Sequence, residues 1–246
     1  MIRKSPENPR PRFVSFSGID GAGKSTQIEA LRARLIATGA RVSLVTFWND
    51  VAKLTRLREV TGHTLFKGDK GIGSPETPVN RRDKNVQSWY MTAVRFGLYL
   101  VDAISLRIVV GRIVRTSTDV VIFDRYLYDE LANLPLHNPS ARAYVRLLLM
   151  LVPRPDISFV LDADPVQARA RKPEYPLDFL HASRASYMAL SKLAGGITII
   201  PSQPVSEVER QVWQQVWQQM LPDAIERFPA LAQAAHSGLQ RDTEAS

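Results

Sequence analysis

Apolar residues along the chain fall into short runs set between longer amphipathic stretches. Phe13, Val14 and Phe16 predict a short buried strand over residues 12–17, and a glycine-rich segment follows it. Residues 24–38 predict a helix stopped by Gly39, and residues 42–47 a second strand. Strand, loop, helix and strand in this order imply a parallel sheet with crossover connections. Residues 120–123, 157–161 and 197–200 predict three further strands. Between them, residues 86–115 are strongly apolar at helical spacing and predict one long helix. Further helices are predicted over 126–133, 142–151 (stopped by Pro153 and Pro155), 165–171, 177–193 and 205–221. The expected architecture is α/β, a three-layer P-loop NTPase sandwich around a five-stranded parallel sheet.

The remaining stretches read differently. Residues 1–11 are rich in Pro and Arg and predict a disordered tail, and residues 223–246 a polar C-terminal tail. One domain is expected over 12–222. Residues 50–85 hold Gly62, Gly68, Gly71, Gly73, Pro75 and Pro78, and predict a short helix near 51–60 followed by a long loop. Loops of that length inside a compact domain are usually functional or mobile.

Composition narrows the chemistry. The chain has 246 residues, 45% hydrophobic and 23% charged, which suits a soluble domain with a substantial core. It has no cysteine, which excludes disulfides, thiolate catalysis and Cys-ligated metal sites. The basic N-terminus is followed by no apolar segment of the secretory kind, and no apolar run is long enough to cross a bilayer. A cytoplasmic protein with no membrane insertion is expected. A net charge of +8 suits nucleic acid, an acidic membrane or anionic nucleotide substrates. The basic residues are scattered, with no Lys/Arg tract and no aromatic ladder, so nucleic-acid binding is not expected. His63, His137, His181 and His236 show no metal-ligand spacing, and Trp213 and Trp217, four apart, suit core packing.

The strongest chemical signal is Gly18-Ile19-Asp20-Gly21-Ala22-Gly23-Lys24-Ser25, followed by Thr26. It matches G-x-x-x-x-G-K-[ST] in full, with an apolar strand before it and a helix after it. The glycines let successive backbone N–H groups turn inward onto phosphate oxygens, Lys24 adds a charge near the β- and γ-phosphates, and Ser25 offers a hydroxyl to Mg²⁺. Gly18, Gly21, Ala22, Gly23, Lys24, Ser25 and Thr26 are therefore the candidate ATP site. A second signal is the apolar strand 120–123 ending in Asp124, a position that faces Mg²⁺ or its waters beside a P-loop. Arg125 follows it and suits a second phosphate group, which guanidinium grips bidentately. A capping Asp with a solvated Arg is the plainer alternative for this pair taken alone.

These residues resemble the thymidylate kinase family of nucleoside monophosphate kinases. Residues 16–26 are similar to the family's F-x-G-x-D-G-A-G-K-S-T opening, Asp124-Arg125-Tyr126 to its D-R-Y motif, and Ala93-Val94-Arg95 to its A-x-R. Residues 159–165, with Ala168-Arg169-Ala170-Arg171, resemble its L-D-x-x-P strand and lid, and the likeness runs from about residue 13 to about 216. The resemblance implies ATP as phosphoryl donor, Mg²⁺ as cofactor and a small nucleotide acceptor, with dTMP first. It implies that Asp20 orients acceptor and metal, that Arg95, Arg125 and Tyr126 hold the acceptor monophosphate, and that Asp124 and Ser25 sit at Mg²⁺. Arg169, Arg171 and Lys172 fall in an implied lid over residues 168–177, and the uncharged Ala22 puts the weight on those lid arginines. A homodimer through helices is also implied, for which residues 86–110 offer a surface; a buried core helix accounts for that stretch equally well.

The sequence departs from the family at the acceptor side. After the second strand it reads Thr46-Phe47-Trp48-Asn49-Asp50, and after Tyr126 it reads Leu127-Tyr128-Asp129-Glu130-Leu131-Ala132-Asn133. Asp129 is thus a candidate acceptor contact. It also motivates a second reading, a kinase for a nucleoside, sugar or other hydroxyl compound in which Asp129 takes the hydroxyl proton. A non-catalytic nucleotide-binding scaffold is the reading from another class; the N-K-x-D motif of a GTPase is absent from the chain.

Overall fold

The computed structural model describes residues 10–52 and 89–227, with the side chains of 89–95 and 220–227 left undescribed. The expected helix near 51–60, the loop after it and both outermost tails lie outside the described residues. The strands are β1 (Arg12–Ser17), β2 (Val42–Thr46), β3 (Val120–Asp124), β4 (Ile157–Leu161) and β5 (Ile197–Ile200). They form one sheet in the order β2-β3-β1-β4-β5, with every pairing parallel. The helices are α1 (Lys24–Ala37), α2 (Trp89–Ile113), α3 (Leu127–Leu131), α4 (Pro139–Leu151), α5 (Pro165–Arg171), α6 (Leu177–Ala194) and α7 (Val205–Arg227).

The alternation of side chains along the strands explains the layers. Phe13, Val121, Phe123 and Val160 point to one face, where they pack with residues of α2, α3, α4 and α6. Val14, Phe16, Ile122, Ile157 and Phe159 point to the other, against Ile28, Leu31 and Leu35 of α1 and Val208, Val212 and Val216 of α7. Apolar residues on both faces of each central strand are what a parallel sheet covered on both sides requires. Trp213 and Trp217 stack at 5.9 Å and close the second layer, as their spacing predicts. Bonding β3 and β4 to either side of β1 brings the turns after these strands to one edge, the carboxyl ends where ligands bind in open α/β sheets.

Four elements depart locally from the expected bounds. The second strand ends at Thr46 rather than 47, and Phe47–Val51 forms a single π-helical turn, where the Asp50 carboxylate accepts the Thr46 N–H at 2.7 Å. Helix α3 is shorter than residues 126–133 and covers Leu127–Leu131. Helix α4 starts at Pro139, three residues before the expected 142, because Asn138 caps it and proline fits the first turn. Helix α7 runs through Pro222 to Arg227 rather than ending at 221, although an interior proline disfavours continuation.

Candidate active site

The phosphate loop joins β1 to α1 at the carboxyl edge. Gly18 has φ 139°, and a Cβ there would stand 2.6 Å from the Leu161 carbonyl oxygen. Gly21 has φ 81°, and a Cβ there would stand 2.3 Å from the Ala168 carbonyl oxygen. The loop is thus pressed against the end of β4 and the side of α5, and only glycine allows it. Gly23 precedes α1 in a left-handed conformation, and no side chain caps the helix and no acid sits in its first turn. The N–H groups and dipole at that end therefore suit an anion. Ser25 and Thr26 are exposed there, and Ala22 packs against both cores.

Lys24 is buried and donates from Nζ to the carbonyls of Gly18 (2.8 Å) and Ile19 (2.9 Å). Burial, reinforced by nearby Arg125, lowers its ammonium to about 8 against the pull of Asp129, Asp20 and Asp124. Asp124 ends β3 in register with Phe16 and Thr46, so it stands beside the start of the loop. Ser25 and Asp124 are the donors this edge offers a divalent cation. A hydroxyl and one carboxylate suit Mg²⁺, which completes its shell with waters and phosphate oxygens.

Arg125 follows Asp124 with φ 68°, the one non-glycine positive φ among the described residues. Its N–H donates to the Phe16 carbonyl at 3.1 Å, which holds the residue in that turn. Its Nη2 donates to Asp20 Oδ1, and its Nη1 stands 3.7 Å from Asp129 Oδ1. Burial opposes the charge on Arg125, but Asp129 and Asp20 outweigh it and raise its pKa. Burial likewise pushes the Asp20 carboxyl up, and Arg125, Lys24 and Lys172 outweigh that and hold it below its ordinary value. Lys172, just past α5 and paired with Glu174 at 3.3 Å, is thus a cation whose field reaches Asp20.

A small cavity open to solvent lies beside the loop. The phosphate loop (Gly18, Ile19, Asp20), the start of the segment after β3 (Arg125, Asp129, Glu130, Ala132, Asn133), Trp48 and Phe179, Leu180, Ser183 and Tyr187 of α6 line it. Helix α6 is anchored by a bidentate pair from Arg184 to Asp162 at the end of β4, at 2.5 and 2.7 Å.

Of the residues the sequence singles out, Gly18, Asp20, Arg125 and Asp129 meet at this cavity. Arg169 and Arg171 lie in the last turn of α5, the first half-buried and the second exposed, and neither lines it. Arg95 belongs to α2, and its side chain is outside the described residues. Tyr126, expected at the acceptor, is a core residue instead. It is 1% exposed, packs edge-on to Phe123, and donates its hydroxyl to the Pro153 carbonyl. The left-handed turn at Arg125, past the end of β3, turns that side chain to the cavity and leaves Tyr126, which precedes α3, in the core.

Trp48, Phe179, Ser183 and Tyr187 escaped the sequence reading. Positions 179, 183 and 187 repeat every four residues and so mark one helix face, a signal that the sequence does carry.

No protein-family model matches the chain. It is 26% identical over 204 residues to a probable thymidylate kinase of Methanosphaera stadtmanae, covering 80% of this chain and 92% of that one. A probable thymidylate kinase of Pyrobaculum aerophilum is 29% identical over 208 residues, covering 81% and 93%. A thymidylate kinase of Bifidobacterium longum is 27% identical over 185 residues, covering 74% and 81%. Among solved structures, the thymidylate kinase of Candida albicans superposes with a TM-score of 0.56 at 16% identity, over 85% of this chain and 92% of that one. That likeness concerns the fold, and the curated relatives extend it to sequence over 74–81% of the chain. The chain is thus similar to thymidylate kinases in sequence and shares the P-loop NTPase fold.

Proposed function

We propose that the chain transfers the γ-phosphoryl group of Mg-ATP to a nucleoside monophosphate, with dTMP as the first acceptor. The observation that carries this is Arg125. Its guanidinium, bonded to Asp20 of the phosphate loop, lines the same cavity as Gly18. A fixed cation one side chain away from a phosphate cradle suits a second phosphate group, and phosphoryl transfer asks a protein mainly for such positioning and charge. The relatives named thymidylate kinase point to the same acceptor class.

In this reading the loop N–H groups and Lys24 bind the donor phosphates, and Asp20 keeps Arg125 turned toward the acceptor. Arg125 and Arg95 hold the acceptor phosphate, while Arg169, Arg171 and Lys172 form a lid that compensates charge and excludes water. Ser25 and Asp124 would hold Mg²⁺, which neutralises charge on the phosphates when bound. Asp129 is a poor base for a hydroxyl acceptor, since Ser17, Tyr187 and the Tyr126 N–H already donate to its carboxylate.

The chain is also proposed to dimerise with a second copy of itself. Leu100, Ile104 and Ile108 repeat every four residues on the exposed side of α2. Leu147, Met150 and Leu151 of α4 lie exposed beside them, and Arg107 of α2 donates to the Leu151 carbonyl at 3.1 Å. An exposed apolar stripe of this kind suits a partner surface.

The test is ADP release over a panel of dTMP, dUMP, UMP, CMP, AMP and GMP. Acceptor-stimulated turnover is expected, with Arg125→Ala raising the acceptor KM by roughly 10²-fold or more and leaving the ATP KM within about threefold. Stimulation only by unphosphorylated compounds, or unchanged acceptor affinity in Arg125→Ala, would overturn the assignment.

A further inference from the structure

The Asp129 carboxylate is among the most fully engaged groups near the site. Oδ2 accepts from Ser17 Oγ at 2.6 Å and from the Tyr126 N–H at 3.1 Å. Oδ1 accepts from Tyr187 Oη at 2.8 Å and stands 3.7 Å from Arg125 Nη1. Burial, then the charge of Asp129, raises the Tyr187 hydroxyl well above its ordinary value, so it stays a donor. An ionised carboxylate accepts only, and these donors fill most of its capacity. Asp129 therefore has little left to offer a substrate directly.

Its position says what it does instead. Arg125 is gripped from two sides, by Asp20 of the phosphate loop and by Asp129 of α3. Asp129 is in turn fixed by β1 through Ser17 and by α6 through Tyr187. Helix α6 carries Phe179 and Ser183 on the cavity wall and follows the lid in sequence. A chain of contacts thus runs from the acceptor wall to the guanidinium without passing through solvent.

We propose that Tyr187 and Asp129 are positioning residues that set the guanidinium of Arg125 for the acceptor phosphate. The inference rests on the phosphotransferase reading. It places a specificity-determining contact on α6, a helix remote in sequence from Arg125. Tyr187→Phe keeps the ring and the packing and deletes one donor to Asp129. Asp129→Asn keeps the shape and removes the negative charge opposite Nη1.

The experiment measures KM for dTMP and for ATP separately, in wild type, Tyr187→Phe and Asp129→Asn, each with Arg125 intact and with Arg125→Ala. A hydrogen bond to a charged group is lost in Tyr187→Phe, so the dTMP KM is expected to rise about tenfold. The ATP KM is expected to stay within about twofold. In the Arg125→Ala background the same substitutions are expected to change the dTMP KM by less than about twofold, because they act through Arg125. Equal fold-changes in both backgrounds, or equal rises in both KM values, would overturn the proposal. Asp129→Asn decides the matter if Tyr187→Phe fails to fold, and the reverse holds. Calorimetric titration with dTMP separates the two readings. Wild type that binds dTMP without turning it over sinks the transfer reading, and the positioning one is then judged by the same ratios in Kd. A wild type that binds no monophosphate overturns both.

Discussion

Gly21→Ala tests the contact between the phosphate loop and α5. At φ 81° a Cβ carries the left-handed cost, roughly 1–2 kcal/mol. Gly39, after α1, supplies the control, since its φ is 87° and nothing lies within 4 Å of a Cβ built there. Gly39→Ala should therefore cost only that roughly 1–2 kcal/mol. At Gly21 the new methyl meets the Ala168 carbonyl oxygen at 2.3 Å, where ordinary contact begins at 3.4 Å, so loop or helix must move by about an ångström. Forced displacement of packed groups adds about 1–3 kcal/mol, for a total near 2–5 kcal/mol. In a domain of this size each kcal/mol lowers Tm by about 2–4 °C. Thermal unfolding followed by circular dichroism should then show a clearly larger loss for Gly21→Ala than for Gly39→Ala. Binding of a non-hydrolysable ATP analogue should fall only in the former. Equal losses of Tm in the two variants, or intact analogue binding in Gly21→Ala, would refute a close packing of the loop on α5.

Lys24→Met keeps the buried stem and removes the charge, so donor affinity is expected to fall by roughly 10²-fold with little change in the dTMP site, checked with a fluorescent ATP analogue. Retained affinity would mean that Lys24 does not reach the phosphates. Ile104→Glu places a charge in the exposed stripe of α2, where the side chain is 53% exposed. Sedimentation velocity should show a dimer in wild type and a monomer in the variant at unchanged Tm, and a wild-type monomer would dispose of the self-association proposal.

The sheet and the donor edge are legible in the sequence because both depend on local pattern. Alternation along β1 assigns Phe13 to one core and Val14 and Phe16 to the other, and the strand-to-helix context identifies the phosphate loop. The acceptor side is not legible in the same way. Trp48, Asp129 and Tyr187 come from a turn and two helices that meet only through the sheet order, and no spacing rule joins them. Tyr126 illustrates the limit from the other direction. It stands next to Arg125 in sequence, yet the left-handed turn between β3 and α3 buries one side chain and turns the other to the cavity. The π-helical turn after β2 also escaped, because it is fixed by one side-chain contact, Asp50 to the Thr46 N–H, rather than by a periodicity.

The most direct test follows the phosphoryl group itself. Incubation with Mg-ATP labelled at the γ-phosphate and with dTMP should place the label in dTDP, one for each ADP formed. Label recovered as inorganic phosphate, with dTMP unchanged, would contradict transfer to a nucleoside monophosphate at the cavity of Arg125.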